Sequence, residues 1–204
     1  MMKLYYTPGA CSMASHIALE EAGAEHELQK VDLAKGEQRT PEYLAINPKG
    51  VTPALQTDRG VLTENPVIIG YIAQEYPDAK LAPTDSFAFG SMQSFNMFLS
   101  SSLHPALGKV LFSRPPLEGQ AKDDARDAAV AKLRLVEDSM FKGPWVTGAE
   151  YTVADGYLYV FERWSKAAGL LDDGAFPKLS EHMQRVQERP KVRKALEHEG
   201  LQPL

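Results

Sequence analysis

Cys11 is the residue of this chain best suited to covalent chemistry, and it is the only cysteine. It lies directly before a stretch of apolar residues whose spacing predicts a helix over residues 12–22. Free backbone N–H groups and the positive end of a helix dipole meet at such a point, and both favour a thiolate over a thiol. The position predicts sulfur or anion chemistry, with a small buried apolar side chain as the alternative.

A strand, a tight turn and a helix must position Cys11. Residues 4–6 predict a short aromatic strand, Pro8 and Gly9 predict the turn, and Gly23 ends the helix. The remaining elements predicted in this half are a strand at 28–33, a helix at 41–45, a hairpin of strands at 54–57 and 61–63, and a helix opened by Asn65 as cap and Pro66. This alternating order predicts an α/β domain over residues 1–78.

The second half of the chain carries no strand pattern. Residues 79–85 predict a linker, and residues 86–204 predict an all-helical domain. Thr152 and Asp155 have the spacing of a capping box at the start of one helix, with a catalytic role for Asp155 as the alternative. The predicted helices are 86–112, 118–142, 152–168, 177–189 and 191–197.

Composition limits the classes of function. A hydrophobic fraction of 44% and a charged fraction of 24% are typical of a globular protein. The net charge of −5, without a cluster of Lys and Arg, argues against a nucleic-acid partner. The longest apolar run, 67–73, is too short to cross a bilayer, and the first residues lack the apolar region of a secretory leader. The short apolar run therefore predicts no membrane partner. A lone cysteine cannot form an internal disulfide and fits a reducing compartment, so we expect a cytoplasmic protein.

Several short segments, in their order and spacing, point to a known family. They are KLYYTPGACS at 3–12, AINPKG at 45–50 with Pro53 after it, LTE at 62–64, TVAD at 152–155, ERP at 188–190 and EGL at 199–201. With these segments the chain resembles the glutathione S-transferases, and among them the bacterial beta class, along essentially its whole length. The resemblance implies an α/β thioredoxin-like N-terminal domain that binds glutathione, an all-α C-terminal domain that contributes a hydrophobic pocket for an electrophile, and a homodimer.

The resemblance also implies which groups surround the glutathione sulfur. Cys11 matches the cysteine that defines the beta class and can form a mixed disulfide with glutathione. His104 matches a histidine that the class directs to the same sulfur, as a neutral base or as an imidazolium. Ser12 and Tyr6 are further candidates, because other classes stabilise the thiolate with a hydroxyl; helix capping and packing are their alternatives. Pro105 stands where the class commonly has a lysine.

Further residues match the glutathione-binding positions of the family. Pro53 matches a cis-proline that lets Thr52 offer its backbone N–H and C=O to the cysteinyl part of glutathione. Glu64 would accept from the ammonium of the γ-glutamyl end, and Asn65 would face its carboxylate at a helix N-terminus. Lys35 is a candidate partner for the glycine carboxylate, with a solvated loop lysine as the alternative.

The electrophile pocket and a metal site are the two remaining questions of binding. Phe112, Phe161 and Trp164 are aromatic helix residues that we expect to line the pocket, unless they belong to the core. His16 and Glu20 are four residues apart on a helix, but two ligands do not make a metal site, so no metal is predicted.

The predicted function is that of a glutathione S-transferase with a role in detoxification. It would bind glutathione as the thiolate and conjugate it to small hydrophobic electrophiles. Thiol–disulfide exchange through Cys11 is a second chemistry. The alternative is a non-catalytic or weakly catalytic binding protein on the same fold, favoured by Pro105 and by Pro66, which removes one backbone donor.

Overall fold

The computed structural model describes every residue from Met1 to Leu204. Its contacts divide the chain into two compact units, of which the first combines Met1–Ala82 with Arg189–Pro203, and the second combines Pro83–Glu188 with Leu204. The last helix therefore packs within the first unit, whereas the sequence pattern groups it with the other helices. None of the helices has the length and apolar composition that a bilayer-crossing segment requires.

A four-stranded mixed sheet lies at the centre of the first unit, in the spatial order β2-β1-β3-β4. β1 (Met2–Tyr6) pairs in parallel with β2 (His26–Lys30) and antiparallel with β3 (Ala54–Thr57), which forms a hairpin with β4 (Gly60–Thr63). β2 ends before the predicted residue 33 because its ladder stops where β1 stops, with Lys30 opposite Tyr6.

The helices of the first unit cover both faces of this sheet. The ring of Tyr5 meets that of Tyr43 edge-on at 5.9 Å, and the ring of Tyr6 lies 5.9 Å from that of His16. Because successive side chains of a strand point to opposite faces, the helices that carry Tyr43 and His16 lie on opposite sides. The helices are α1 (Met13–Ala22), α2 (Pro41–Ile46), α3 (Asn65–Glu75) and α9 (Pro190–Glu199).

α1 begins directly after the turn that carries Cys11. It ends at Gly23, whose φ of 65° is the left-handed conformation that lets the chain leave a helix and that glycine adopts without strain. α1 packs against α3 and α9. Its residues from Met13 to Glu20 are all buried, and these include the polar side chains of His16 and Glu20.

The second unit is entirely helical. The predicted helix 86–112 is interrupted by a π-helical turn at Leu99–Leu103, after which a new helix starts with Pro105 in its first turn. Proline has no N–H to continue the ladder, but the first turn of a helix tolerates it. A second π-helical turn, Val136–Met140, closes the predicted helix 118–142. The helices are α4 (Ser86–Phe98), α5 (His104–Phe112), α6 (Gly119–Leu135), α7 (Val153–Ala167) and α8 (Pro177–Gln187).

The start of α7 is held by Asp155, as the capping-box spacing predicts. Its carboxylate accepts from the backbone N–H groups of Thr152 and Val146, both at 2.7 Å, and lies 3.0 Å from Nε2 of His182. Nδ1 of His182 lies 2.7 Å from a carboxylate oxygen of Glu162. Burial alone would lower the pKa of His182, but the charges and hydrogen bonds of Glu162 and Asp155 raise it to about 9.

Candidate active site

Ser12 holds the turn between β1 and α1. Its hydroxyl donates to the carbonyl of Thr7 at 3.1 Å and accepts from the N–H of Thr7 at 3.0 Å. Gly9, inside the turn, has a φ of 69° and donates its N–H to Oε2 of Glu199 at 2.8 Å. Because the only hydroxyl proton of Ser12 is committed to Thr7, Ser12 positions the segment that presents Cys11.

Cys11 lies against residues from two other elements. Its thiol donates to the carbonyl of Thr52 at 3.7 Å, and its own carbonyl accepts from Nδ2 of Asn65 at 3.0 Å. Burial raises the pKa of the Cys11 thiol to about 11, although the Asn65 side chain and the backbone N–H groups of Cys11 and Ser12 favour the thiolate. The prediction that the helix start favours the Cys11 thiolate is therefore wrong, since removal from water outweighs the helix terminus.

The loop before Pro53 is fastened from one side. The Thr52–Pro53 peptide bond is cis, as the resemblance implies. The carbonyl of Val51 accepts from the hydroxyl of Tyr43 at 2.7 Å and from Nδ2 of Asn47 at 2.6 Å. These bonds tie the loop to α2 and its C-terminal end, while the carbonyl of Thr52 accepts from Cys11.

Glu64 and Lys49 form a charged pair at the edge of this region. Nζ of Lys49 donates to Oε1 of Glu64 at 2.7 Å and to Oγ1 of Thr63 at 2.9 Å. Both charged side chains are about half exposed. Lys49 is a functional candidate that sequence reasoning missed. Its signal was its place in the AINPKG segment, but the fold alone brings it to Glu64, 15 residues later.

Asn65 is the first residue of α3, and Glu64 occupies the cap position that the sequence pattern gives to Asn65. The Asn65 side chain is buried, and both of its polar atoms bind the Cys11 region. Oδ1 accepts from the hydroxyl of Ser15 at 2.7 Å, and Nδ2 donates to the carbonyl of Cys11. The amide of Asn65 therefore ties the start of α3 to the start of α1.

Two other predicted residues of the first unit lie in different surroundings. Lys35 is exposed, with 76% of its side chain accessible, and its ion-pair partner is Asp32 at 3.6 Å. Tyr6 is buried beside His16, and burial, followed by the charge of Glu199, raises its pKa. None of these contacts involves Cys11.

The second unit brings its four candidates into one aromatic cluster. The ring of His104 lies 5.1 Å from that of Trp164 and 5.5 Å from that of Phe161, and the ring of Phe112 stands perpendicular to Trp164 at 5.2 Å. Phe161 is fully buried, so it supports the cluster as core, whereas Phe112 is 57% exposed. Burial lowers the pKa of His104, which favours a neutral imidazole that accepts a proton over an imidazolium.

Comparison with family models assigns both halves of the chain to one family. Residues 1–74 match the model described as "Glutathione S-transferase, N-terminal domain". Residues 119–185 match "Glutathione S-transferase, C-terminal domain".

Individual relatives extend the likeness to nearly the whole chain. Glutathione S-transferase GstA of Escherichia coli O157:H7 is 38% identical over 203 residues, which cover 98% of this chain and 100% of that protein. The solved beta class glutathione S-transferase of Sphingomonas chungbukensis matches with a TM-score of 0.87 at 39% identity, over 98% of this chain and 100% of that one. A Sulfitobacter glutathione transferase homologue, solved with bound glutathione, matches with a TM-score of 0.88 at 35% identity over 99% of each chain.

Proposed function

The chain belongs to the glutathione S-transferase family, and on that premise we propose that it binds glutathione on its first unit and transfers the glutathione sulfur to a small hydrophobic electrophile. The predicted thioredoxin-like first domain and all-helical second domain are confirmed. The observation that carries the proposal is the arrangement of Cys11 beside Thr52 and Asn65. It gathers the predicted residues for the thiol, the peptide and the γ-glutamyl end at one place.

The charges of the first unit support binding of the γ-glutamyl end. That group is a zwitterion, with an ammonium and a carboxylate on one carbon. Glu64 and Lys49 present an anion and a cation 2.7 Å apart, in water-accessible positions, so each can exchange its partner for the opposite charge of the ligand. We assign the ammonium to Glu64. We assign the carboxylate to Lys49 together with the start of α3 at Asn65.

The protonation state of the Cys11 thiol decides whether Cys11 mainly supports conjugation or mainly performs thiol–disulfide exchange. With a pKa of about 11, only about one thiol in 10⁴ is ionised at pH 7. Cys11 therefore acts as a hydrogen-bond donor to the glutathione thiolate and stabilises that anion. Thiol exchange, in which the Cys11 sulfur attacks a glutathione disulfide and expels the second glutathione as thiol, is the slower chemistry.

In conjugation, the neutral imidazole of His104 would accept the proton of the glutathione thiol. The sulfur then forms a bond to the electrophilic carbon, and the leaving group departs with its electron pair. The lowered pKa of His104 supports the base form of this step. Phe112 and Trp164 offer the aromatic surface proposed for the electrophile, with Phe161 behind them.

Steady-state conjugation of glutathione to 1-chloro-2,4-dinitrobenzene tests the proposal. We expect turnover in the wild type and an increase of about tenfold in the KM for glutathione in Glu64→Gln, because one charge-assisted contact to the ammonium is lost. Glu75→Gln is the matched control: Glu75 is also an acid paired with a base, Arg59, but it lies at the other end of α3, outside the site. An unchanged KM in Glu64→Gln would remove Glu64 from the binding site.

Binding calorimetry separates the enzyme from the non-catalytic alternative, which Pro66 and Pro105 favour. If glutathione binds but neither conjugation nor a mixed disulfide on Cys11 is observed, the chain is a binding protein on this fold. If millimolar glutathione does not bind, the whole proposal fails.

Light scattering tests the proposed homodimer, which would have twice the chain mass of 22.5 kDa. Fractionation of the source cells tests the proposed cytoplasmic location.

A further inference from the structure

A second cluster of polar side chains lies in the first unit, where α1, β2 and α9 meet. His16 and Glu20 are one turn apart on α1, and His198 lies on α9. One possible ligand atom from each of the three lies within 4.8 Å of the other two. Nε2 of His26, at the start of β2, lies 3.9 Å from Oε1 of Glu20. The sequence shows only the two ligands of α1, because nothing in its pattern brings α9 back to this helix.

Two atoms of this cluster are buried without a hydrogen-bond partner. They are Nε2 of His16 and Oε1 of Glu20, on side chains that are fully buried and 3% exposed, respectively. Leaving such an atom buried and unpaired destabilises the folded state. Two of them, one turn apart on the same helix and both able to donate a lone pair, indicate that an electron-pair acceptor belongs between them.

In His16 and His26 the hydrogen bonds are made by Nδ1, which leaves Nε2 available to bind a metal ion. Nδ1 of His16 lies 2.9 Å from Oε1 of Glu199, so the ring donates its proton to that carboxylate and Nε2 keeps a lone pair. In His26, Nδ1 donates to the carbonyl of Ala24 at 2.8 Å, so Nε2 is the ring nitrogen that faces Glu20. Carboxylates and carbonyls occupy this position behind metal-binding histidines, where they fix the tautomer and the ring orientation.

The ligand types favour zinc over the hard cations, and one measured distance is compatible with a tetrahedral zinc site. Atoms around a tetrahedral zinc ion with bonds of about 2.0–2.1 Å lie about 3.4 Å from one another. Nδ1 of His198 lies 3.5 Å from Oε1 of Glu20. Imidazoles with one carboxylate suit zinc, whereas Mg²⁺ and Ca²⁺ prefer oxygen ligands alone. His198 is 39% exposed and borders an open groove of about 520 Å³, which gives an ion a route from solvent.

The surrounding charges favour a dication overall. Glu20 lies inside the cluster, Glu199 lies behind His16, and Glu25 borders the groove. The opposing charge is Lys194, whose Nζ binds Oε2 of Glu20 at 2.9 Å and leaves Oε1 free. Its side chain is half exposed, so it can move its charge into water when an ion arrives.

We propose that His16, Glu20 and His198 bind a divalent transition-metal ion of the zinc type, with His26 as the fourth ligand. The ion would join α1 to α9 within the first unit. It would also act on the catalytic turn, because the carboxylate that orients His16 accepts from the N–H of Gly9 with its other oxygen. The role of the site is structural, since none of the proposed glutathione contacts belongs to it.

Metal titration of the chelator-treated full chain tests this site. Zn²⁺ is titrated against a chromogenic chelator, and Co²⁺ is followed by visible absorption. We expect one ion per chain, with cobalt bands of a tetrahedral nitrogen and oxygen site and no sulfur charge-transfer band. Affinity should fall by at least about tenfold in His198→Gln and in Glu20→Gln. His198→Gln is the primary variant because its half-exposed side chain can change without disturbing the core.

Two matched variants test whether a thiol or a histidine outside the cluster accounts for metal binding. Cys11→Ser removes the only thiol, and His104→Gln removes a histidine of the second unit; both should keep the wild-type affinity. A fixed Zn²⁺ concentration that saturates the wild type should raise the Tm of the wild type by several degrees and that of His198→Gln by less. The proposal is overturned if the wild type binds less than one ion, if His198→Gln binds as the wild type does, or if Cys11→Ser abolishes binding.

Discussion

At the scale of single residues, Cys11 shows how two familiar effects compete. Interaction with a helix N-terminus stabilises a negative charge by about 0.3–1 kcal/mol. Burial raises the pKa from 9.0 to about 11, which corresponds to roughly 3 kcal/mol in favour of the thiol. Desolvation therefore decides the protonation state, and in the proposed reaction Cys11 would act as a hydrogen-bond donor.

The rate of Cys11 alkylation should report this protonation state directly. We expect the rate with iodoacetamide to keep rising up to about pH 10–11, because only the thiolate reacts and its pKa is raised. Intact-mass measurements over a pH series give the rate. The same chain unfolded in urea is the control and should level off near the ordinary cysteine value of about 8.5. A plateau at that value in the folded protein would show that the thiol is solvated.

The limits of sequence reasoning also appear residue by residue. The turn at Gly9 and the cap at Asp155 depend on neighbours within a few positions, so local patterns predict them. The cis bond at Pro53 is expected only from the resemblance to the family. The pairing of Lys49 with Glu64 and the partial burial of Cys11 depend on segments that only the fold brings together. Periodicity contains no information on such contacts.

At the scale of elements, the start of α7 depends on one carboxylate with several partners. We expect Asp155→Ala to lower the free energy of unfolding by about 3–5 kcal/mol, because it leaves the N–H groups of Thr152 and Val146 unpaired and removes a partner of buried His182. Urea denaturation measures the change. Asp123→Ala, an exposed acid of α6, is the control and should stay within about 0.5 kcal/mol of the wild type. An equally small effect of Asp155→Ala would show that the cap does not contribute to the free energy of unfolding.

The spacing of apolar residues predicts the extent of a helix better than it predicts the surface against which the helix packs. The predicted helix 86–112 has the right extent, but Pro105 and the π-helical turn before it divide it into α4 and α5. α9 has the apolar stripe expected of any packed helix. That stripe does not specify which surface covers it, and here the surface is α1 of the first unit.

At the scale of the whole molecule, the buried charge of His182 makes stability depend on pH. The folded-state pKa of about 9 exceeds the ordinary value of 6.5, so the folded chain holds this proton more tightly than the unfolded chain. Its contribution is complete below about pH 6.5 and is lost as the pH rises through 9. We expect the free energy of unfolding to fall by on the order of 2–3 kcal/mol between about pH 6.5 and 9.5.

Denaturant unfolding at several pH values, followed by two probes, measures this dependence. His182→Gln removes the titrating group and should flatten the curve over the same range. His104→Gln is the comparison variant and should keep the wild-type slope, because the lowered pKa of His104 places its titration below this pH range. A slope in His182→Gln equal to that of the wild type would assign the pH dependence to other groups.

The hydrogen bond between Gly9 and Glu199 joins positions 190 residues apart. Domains generally fold as they leave the ribosome, with the N-terminal one first. Here the first unit lacks α9 until nearly the whole described chain has been made, so the part synthesised earliest is completed last. A nascent chain stalled after residue 188 should therefore expose α1 to protease, and release of the finished chain should protect it.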